Sequence, residues 1–294
     1  MSNIGVDMGG TRIKAGIVEG ARILRSETVD TNAGASPSDV LDAVARAVRA
    51  LSSEPTSVGF AIPGEVDGTG ACWQLPNVPG FAGVNIQQEL ERRVGCPVVV
   101  ENDATVAALG EALHGWGAEY PSFLMVTLGT GVGGGLVLDG KLRRGSHGFA
   151  GEIGHLQIDR SPAAPRDAAG LAGTLEAYAG TQALLAKFRE LGGQGREVLH
   201  IAESARRGET AGCKTFEMMG AALGEALNSI QVVLDLDAIV FTGGISRSFD
   251  LVEPSIRLAM RQRAYAEPLV SVPLLESKLG DAAGLVGAAH LVDA

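Results

Sequence analysis

IGVDMGGTRIKAGIVEG, residues 4–20, lies over LMVTLGTGVGGGLVLDG, residues 124–140, when the sequence is shifted by 120 positions. Gly9 falls on Gly129, Ile17 on Val137, Val18 on Leu138, Glu19 on Asp139 and Gly20 on Gly140. Each copy reads as a strand, a glycine turn and a second strand. A repeated opening unit implies a duplicated architecture of two lobes, and the cleft between such lobes is the expected place for a ligand.

The segments that follow each copy fill in the lobes. RILRSETV continues the first copy as a third strand, and a helix is expected at about 38–51, where Val40, Leu41, Val44, Val48 and Leu51 recur at helical spacing. TSVGFAIPG reads as a buried strand ended by Pro63 and Gly64. NIQQELERRVG reads as a helix stopped by Gly95, PVVVEN as a strand, and DATVAALGEALHG as a helix stopped by Gly115. Strands alternating with helices imply a largely parallel, covered sheet. After the second copy comes a polar stretch rich in Gly and Pro, 143–173, then helices at about 174–191, 197–206 and 214–234. The strand DAIVFTGG, a helix near 249–263, the short strand LVSVPL and a last helix at about 281–291 complete the chain.

With 294 residues there is room for two cores. Asp plus Glu total 34 against 24 for Lys plus Arg, a net charge of -10 with no long basic run, so nucleic-acid binding has little electrostatic support. Cys72, Cys96 and Cys213 are far apart and form no CxxC pair, which argues against a disulfide framework and a local thiolate zinc site. The first residues, MSNIGVDMGG, show neither the charged region nor the apolar run of a secretory leader. No run of ~18 apolar residues occurs, so no membrane span is expected and the cytoplasm is the natural compartment.

Neither glycine turn matches GxxxxGK[ST] or precedes a helix, which excludes a P-loop. Both read as hairpin tips. Amides of Gly9, Gly10 and Thr11 on one, and of Gly129, Thr130 and Gly131 on the other, would suit phosphate oxygens, although hairpins also use glycine for purely conformational reasons. Asp7, at the end of an apolar strand, either caps the first turn or holds a magnesium ion through water beside the phosphates. FTGGIS, 241–246, ends a strand and opens a helix; Gly243 and Gly244 serve either a tight turn or the close approach of a nucleotide. GEIGH, 151–155, sets Glu152 and His155 three residues apart, suited to a polyhydroxy ligand or to a satisfied structural histidine. ENDA, 101–104, sits between a strand and a helix, where Asn102 or Asp103 can cap the helix, or face a ligand at the carboxyl end of the strand.

In that order and spacing, DMGGTRIK, PNVPGF, ENDATVAALGE, TLGTGVGGG, GEIGH and FTGGIS resemble the ROK sugar kinases over essentially the whole chain. The resemblance implies an α/β, two-lobed actin-like ATPase (ribonuclease H-like) fold with an interlobe cleft. It divides the chain into an N-terminal lobe, 1–118 with the C-terminal helix 281–294, and a C-terminal lobe, 119–280. It makes Asp103 the general base for the sugar hydroxyl that attacks the γ-phosphate, which leaves helix capping as at most a second role for Asn102 or Asp103. Gly64, Asn77, Asn102, Glu152, His155 and Glu176 would contact the sugar. Gly9, Gly10, Thr11, Arg12, Gly129, Thr130, Gly131, Gly243 and Gly244 would line ATP, with Mg2+ held through Asp7. A hexose kinase is implied, with glucose phosphorylated at the 6-hydroxyl as the leading substrate and a homodimer as the assembly. Fructose, allose and N-acetylmannosamine, and polyphosphate as donor, are alternatives on the same scaffold, as is a sugar sensor without activity.

Many members of the family follow GEIGH with a cysteine cluster that binds structural zinc. Here HLQIDRSPAAPRDAAGLAGTLEAYAG holds no cysteine, so no zinc site is expected and the loop after His155 must be held another way. Leu175 and Glu176 remain where the family's sugar-contacting LE lies, and Thr105 replaces the final Asn of ENDAN. The repressor branch carries a helix-turn-helix ahead of its first glycine motif; two residues precede the first strand here, so a DNA-binding regulator is not expected.

Overall fold

The computed structural model describes residues 3–32, 34–76 and 78–293. In chain order, the first half runs β1 (Asn3–Met8), β2 (Arg12–Glu19), β3 (Arg22–Asp30), α1 (Pro37–Leu51), β4 (Ser57–Ile62), β5 (Glu65–Val66), β6 (Cys72–Gln74), α2 (Ile86–Val94), β7 (Val98–Asn102) and α3 (Asp103–His114). Next come β8 (Phe123–Leu128), β9 (Val132–Leu138), β10 (Lys141–Arg143), α4 (Glu176–Ala179), α5 (Thr181–Glu190), α6 (Val198–Arg206) and α7 (Thr210–Leu234). The chain closes with β11 (Ala238–Thr242), α8 (Phe249–Gln262), α9 (Glu267–Val270), β12 (Leu274–Glu276) and α10 (Ala283–His290).

The internal repeat is visible in the strands. β1 and β8 begin at residues 3 and 123, β2 and β9 at 12 and 132, an offset of 120 in both cases. The two five-stranded sheets also share an order, β3-β2-β1-β4-β7 and β10-β9-β8-β11-β12, with the inner pairs β1–β4, β4–β7, β8–β11 and β11–β12 parallel. A twice-used α/β unit of this kind is the actin-like, ribonuclease H-like arrangement.

Two compact units divide the chain, one of residues 1–121, 135–151 and 277–294 and one of residues 122–134 and 152–276. In the first, the two faces of the sheet differ because successive side chains alternate. Ile4, Val6 and Met8 with Val58, Phe60 and Ile62 join α1 and α2 in one fully buried cluster. Each such side chain contributes about 1.5–3 kcal/mol of burial. The opposite face is built of small residues, Gly5, Gly59 and Ala61, and receives α10 so closely that a Cβ at Gly59 would collide with the Ala288 carbonyl. Gly110 and Gly287 bring α3 and α10 together in the same way.

In the second unit, α7 packs along α8 through Gly220 and Gly224, where an added Cβ would lie 2.5 Å from Ser255 and 2.6 Å from Ala259. The segment expected as one helix at 174–191 is two, α4 and α5. At the break, Gly180 is extended and Thr181 N–H leaves the helical ladder for the carbonyls of Gly129 and Thr130, each at 3.2 Å. LVSVPL is not a strand: Pro268 starts the short helix α9, and Pro273 delays β12 to Leu274–Glu276. The small hairpin β5–β6 was not visible in the periodicity, since its strands have two and three residues.

Candidate active site

In the first unit, the residues singled out by the sequence collect at the carboxyl ends of adjacent parallel strands, where open α/β sheets bind ligands. Asp7, next to last in β1, lies opposite Ala61 of β4, and Asn102 ends β7 opposite Ile62. The turn 9–12 follows β1, and Gly64 follows β4. Gly9 N–H donates to Arg12 O at 2.8 Å and so is spent on closing the turn, not on a ligand. That leaves the amides of Gly10 and Thr11 as its donors, and residues 9–12 are exposed. Thr31, 1% exposed, braces this turn: its hydroxyl donates to Gly9 O at 2.7 Å and its N–H to Thr11 O at 2.9 Å.

Asn102 is the N-cap of α3. Its Oδ1 accepts from Ala104 N at 2.9 Å and Thr105 N at 3.1 Å, and its Nδ2 donates to Gly64 O at 3.2 Å. Capping is therefore structural work that Asn102 performs, with three hydrogen bonds engaging its amide. Asp103 is the first residue of the helix, and its Oδ1 accepts Ala104 N–H at 2.8 Å. Gly64 is glycine because a Cβ would strike the Gln74 carbonyl.

Two further carboxylates differ from Asp103. Glu101, 6% exposed, accepts Asn102 N–H on Oε1 at 2.8 Å, and its Oε2 forms an ion pair with the Arg144 guanidinium, 2.8 Å from Nε. Burial pushes its carboxyl up, and the Asn102 amide and the Arg144 guanidinium pull it back. Glu101 thus supports the end of β7 from beneath. Asp7 is raised to about 6 by burial, only partly offset by Lys14 across the β1–β2 pair.

In the second unit the other glycine turn follows β8. Gly129 N–H donates to Gly131 O at 3.0 Å, so it too is spent on turn closure. Thr181 braces this turn as Thr31 does the first, its hydroxyl donating to Gly129 O at 2.7 Å. Glu176, at the start of α4, accepts Val132 N–H at 3.1 Å, and Gly131 must lack a side chain to admit that carboxylate. Gly129 and Gly244 have open space around a built Cβ and no positive φ, so the fold itself does not demand glycine there. Close approach of a ligand to the backbone would. Gly243 is different: its φ is +94° and a Cβ would collide with Leu128 O, so the tight turn accounts for it.

Glu152 precedes the 3-10 turn Ile153–His155, and Gly154 lets that turn pack against Val132 O at the start of β9. His155 is 36% exposed, with Nδ1 3.8 Å from Asp167 Oδ2. Asn77, expected to contact the sugar, lies outside the described residues. Thr31, Thr181, Arg144 and Asp167 were not singled out by sequence; each acts through a partner distant in the chain, and no local pattern marks them.

The model of the ROK family matches residues 3–294. The chain belongs to the ROK family. Sugar kinases are among the relatives of this ROK protein along nearly its whole length. A glucokinase of Streptomyces coelicolor is 35% identical, the match covering 98% of this chain and 96% of that one. An N-acetyl-D-glucosamine kinase of Pasteurella multocida is 31% identical, with 98% of each chain covered. Among solved structures, a ROK family glucokinase from Streptomyces griseus in complex with glucose and AMPPNP superposes with a TM-score of 0.86 at 34% identity, covering 99% of each chain. The shared fold is the actin-like sugar-kinase fold, and the ROK protein carries its duplicated sheet in full.

Proposed function

We propose that this ROK protein is an ATP-dependent kinase that phosphorylates glucose at the 6-hydroxyl. The observation that carries the reading is Asp103: an acid placed at a strand end and a helix N-terminus, next to a neighbour whose side chain ties two strand ends together. Its carboxylate takes the proton of the sugar 6-hydroxyl as that oxygen bonds to the γ-phosphorus, the bond from phosphorus to the β–γ bridging oxygen breaks, and ADP leaves with the electron pair. Phosphoryl transfer rests mostly on positioning and charge neutralisation. Gly64, Asn77, Asn102, Glu152, His155 and Glu176 are assigned to the sugar hydroxyls. For Glu176 the bond to Val132 N–H gives a second task, holding the second glycine turn. The turns 9–12 and 129–131, with Gly243 and Gly244, are assigned to ATP.

Asp7 fits a magnesium ion held through water. A carboxylate raised to about 6 by burial is short of positive charge, and a divalent cation supplies it. Bound there, the cation would neutralise phosphate charge. A homodimer is supported by apolar side chains left exposed at the end of α7 and on α8, Val233 at 79% and Leu258 at 60%, and sedimentation would test it. No helix among the described residues is long and apolar enough to cross a membrane; the cytoplasm is proposed from the use of ATP.

The Pasteurella relative favours a second reading, an N-acetylhexosamine as acceptor. Coupled ADP release across glucose, fructose, allose, N-acetylglucosamine and N-acetylmannosamine, with ATP or polyphosphate as donor, separates the two. Asp103→Ala lowers kcat with the true substrate by about 10²- to 10⁴-fold. Retained turnover in that variant would remove Asp103 from the reaction, and absence of turnover with every sugar would refute the kinase.

A further inference from the structure

The segment after His155 is held by two aspartates. Asp159 Oδ1 accepts Ser161 N–H at 2.8 Å, and its Oδ2 accepts the hydroxyl of Tyr178 on α4. That contact and burial push the Tyr178 phenol up to about 12, with burial the larger cause. Ile158 and Asp159 amides both donate to Gly173 O, at 2.8 and 3.0 Å, and a Cβ on Gly173 would collide with Asp159 O. Asp167 sits at the centre of the second knot, its side chain fully buried. Oδ1 accepts Leu171 N–H at 2.8 Å and Oδ2 accepts the Thr174 hydroxyl at 2.8 Å. The same Oδ2 lies 3.8 Å from His155 Nδ1. Thr174, 2% exposed, in turn accepts Ala177 N–H in the first turn of α4, the helix that begins with Glu176.

We propose that Asp167 is a positioning residue for sugar binding: its buried carboxylate fixes the ring of His155 through Nδ1 and, through Thr174, ties the His155 turn to the helix that carries Glu176. A carboxylate facing one ring nitrogen places the proton on that nitrogen. Nε2 is then the ring nitrogen left for a hydroxyl of the ligand. A charged group buried on this scale is retained only with partners; here a backbone amide and a hydroxyl serve, and the imidazole stands 3.8 Å away. In a segment with no cysteine, this covalent-free knot does the orienting. The proposal rests on the assignment of His155 to the sugar.

The test uses the full chain with magnesium, ATP and glucose. Asp167→Asn keeps the shape and an oxygen for Leu171 N–H but presents no negative charge to Nδ1. Its KM for glucose is expected to rise about 10-fold, with KM for ATP and the unfolding temperature near wild type. Nitrogen-15 spectra of the five histidines, with His155→Ala assigning the resonance, should show the Nδ1–H form of His155 in the wild type and its loss in Asp167→Asn. In a His155→Ala background, Asp167→Asn should raise KM no further. An unchanged tautomer with an unchanged KM overturns the proposal, as does a KM rise that persists undiminished without His155. A changed tautomer with unchanged KM, and an unchanged KM in His155→Ala, overturns the assignment of His155 to the sugar while retaining its orientation by Asp167. Should Asp167→Asn fail to fold, Thr174→Val removes the hydroxyl that fixes Oδ2 and is read by the same spectra.

Discussion

Asn102 donates from Nδ2 to the carbonyl oxygen of Gly64 at 3.2 Å while its Oδ1 caps α3, so one side chain joins the ends of β4 and β7 and sets the helix that begins with Asp103. Asn102→Ala loses both functions, and a lost cap costs about 0.5–2 kcal/mol. Asn102→Asp keeps the capping oxygen and loses only the donor. Thermal unfolding should therefore rank wild type above Asp above Ala, whereas kcat/KM for the sugar should fall in both. An Asp variant with full activity would show that the tether to Gly64 does not matter.

Burial of Asp7 opposes stability at neutral pH. Its carboxyl is raised to about 6, above the unfolded value, so the folded state prefers the proton. The stability this group contributes is fully present below about pH 4 and is lost as the pH rises through 6. Asp7→Asn should accordingly unfold at a higher temperature than wild type above pH 7, by on the order of 1–3 kcal/mol, with the gap closing toward pH 4. The same variant should need more magnesium and turn over more slowly. Calorimetry across that range decides, and a variant less stable than wild type at pH 8 would contradict the assignment.

Thr31 and Thr181 make the same bond to the two glycine turns, hydroxyl to carbonyl at 2.7 Å on Gly9 and on Gly129. Thr31→Val and Thr181→Val keep shape and delete the donor, at about 0.5–1.5 kcal/mol each. KM for ATP should rise about 3- to 10-fold in each, with KM for glucose little changed. If neither constant moves, the turns hold their shape without the braces.

Gly59 is a stability position with no part in chemistry. Its Cβ would collide with Ala288 O, so Gly59→Ala must push α10 off the sheet, costing at least about 1–3 kcal/mol. Denaturant unfolding should show the loss, and a variant as stable as wild type would mean that α10 docks more loosely than the close packing implies.

The regular elements were legible wherever the signal is local. Val40, Leu41, Val44, Val48 and Leu51 marked α1, and all five are buried; Gly95 marked the end of α2 and takes φ of +77°. The duplication was legible because both strand pairs kept their spacing, and ENDA was legible as the junction of β7 and α3 because a polar cap between a strand and a helix is a local signal. What fails to show in sequence is set by partners far along the chain. Gly180 breaks a helix only because Thr181 N–H has two carbonyls about fifty residues away to bond, with the Thr181 hydroxyl bridging 52 positions. Asn102 reaches back 38 residues to Gly64, and Arg144 meets Glu101 across a gap that no periodicity records.

By itself, then, the sequence determined the strands, helices and glycine turns, the repeat and the family, because propensity, alternation and capping act over a few residues. Tertiary structure alone decided which amides of the glycine turns remain for a ligand, which threonines brace them, and that Asp167 faces His155. The reason is physical: a buried polar group must find a partner, and only the folded chain determines which distant atom is within 3 Å of it.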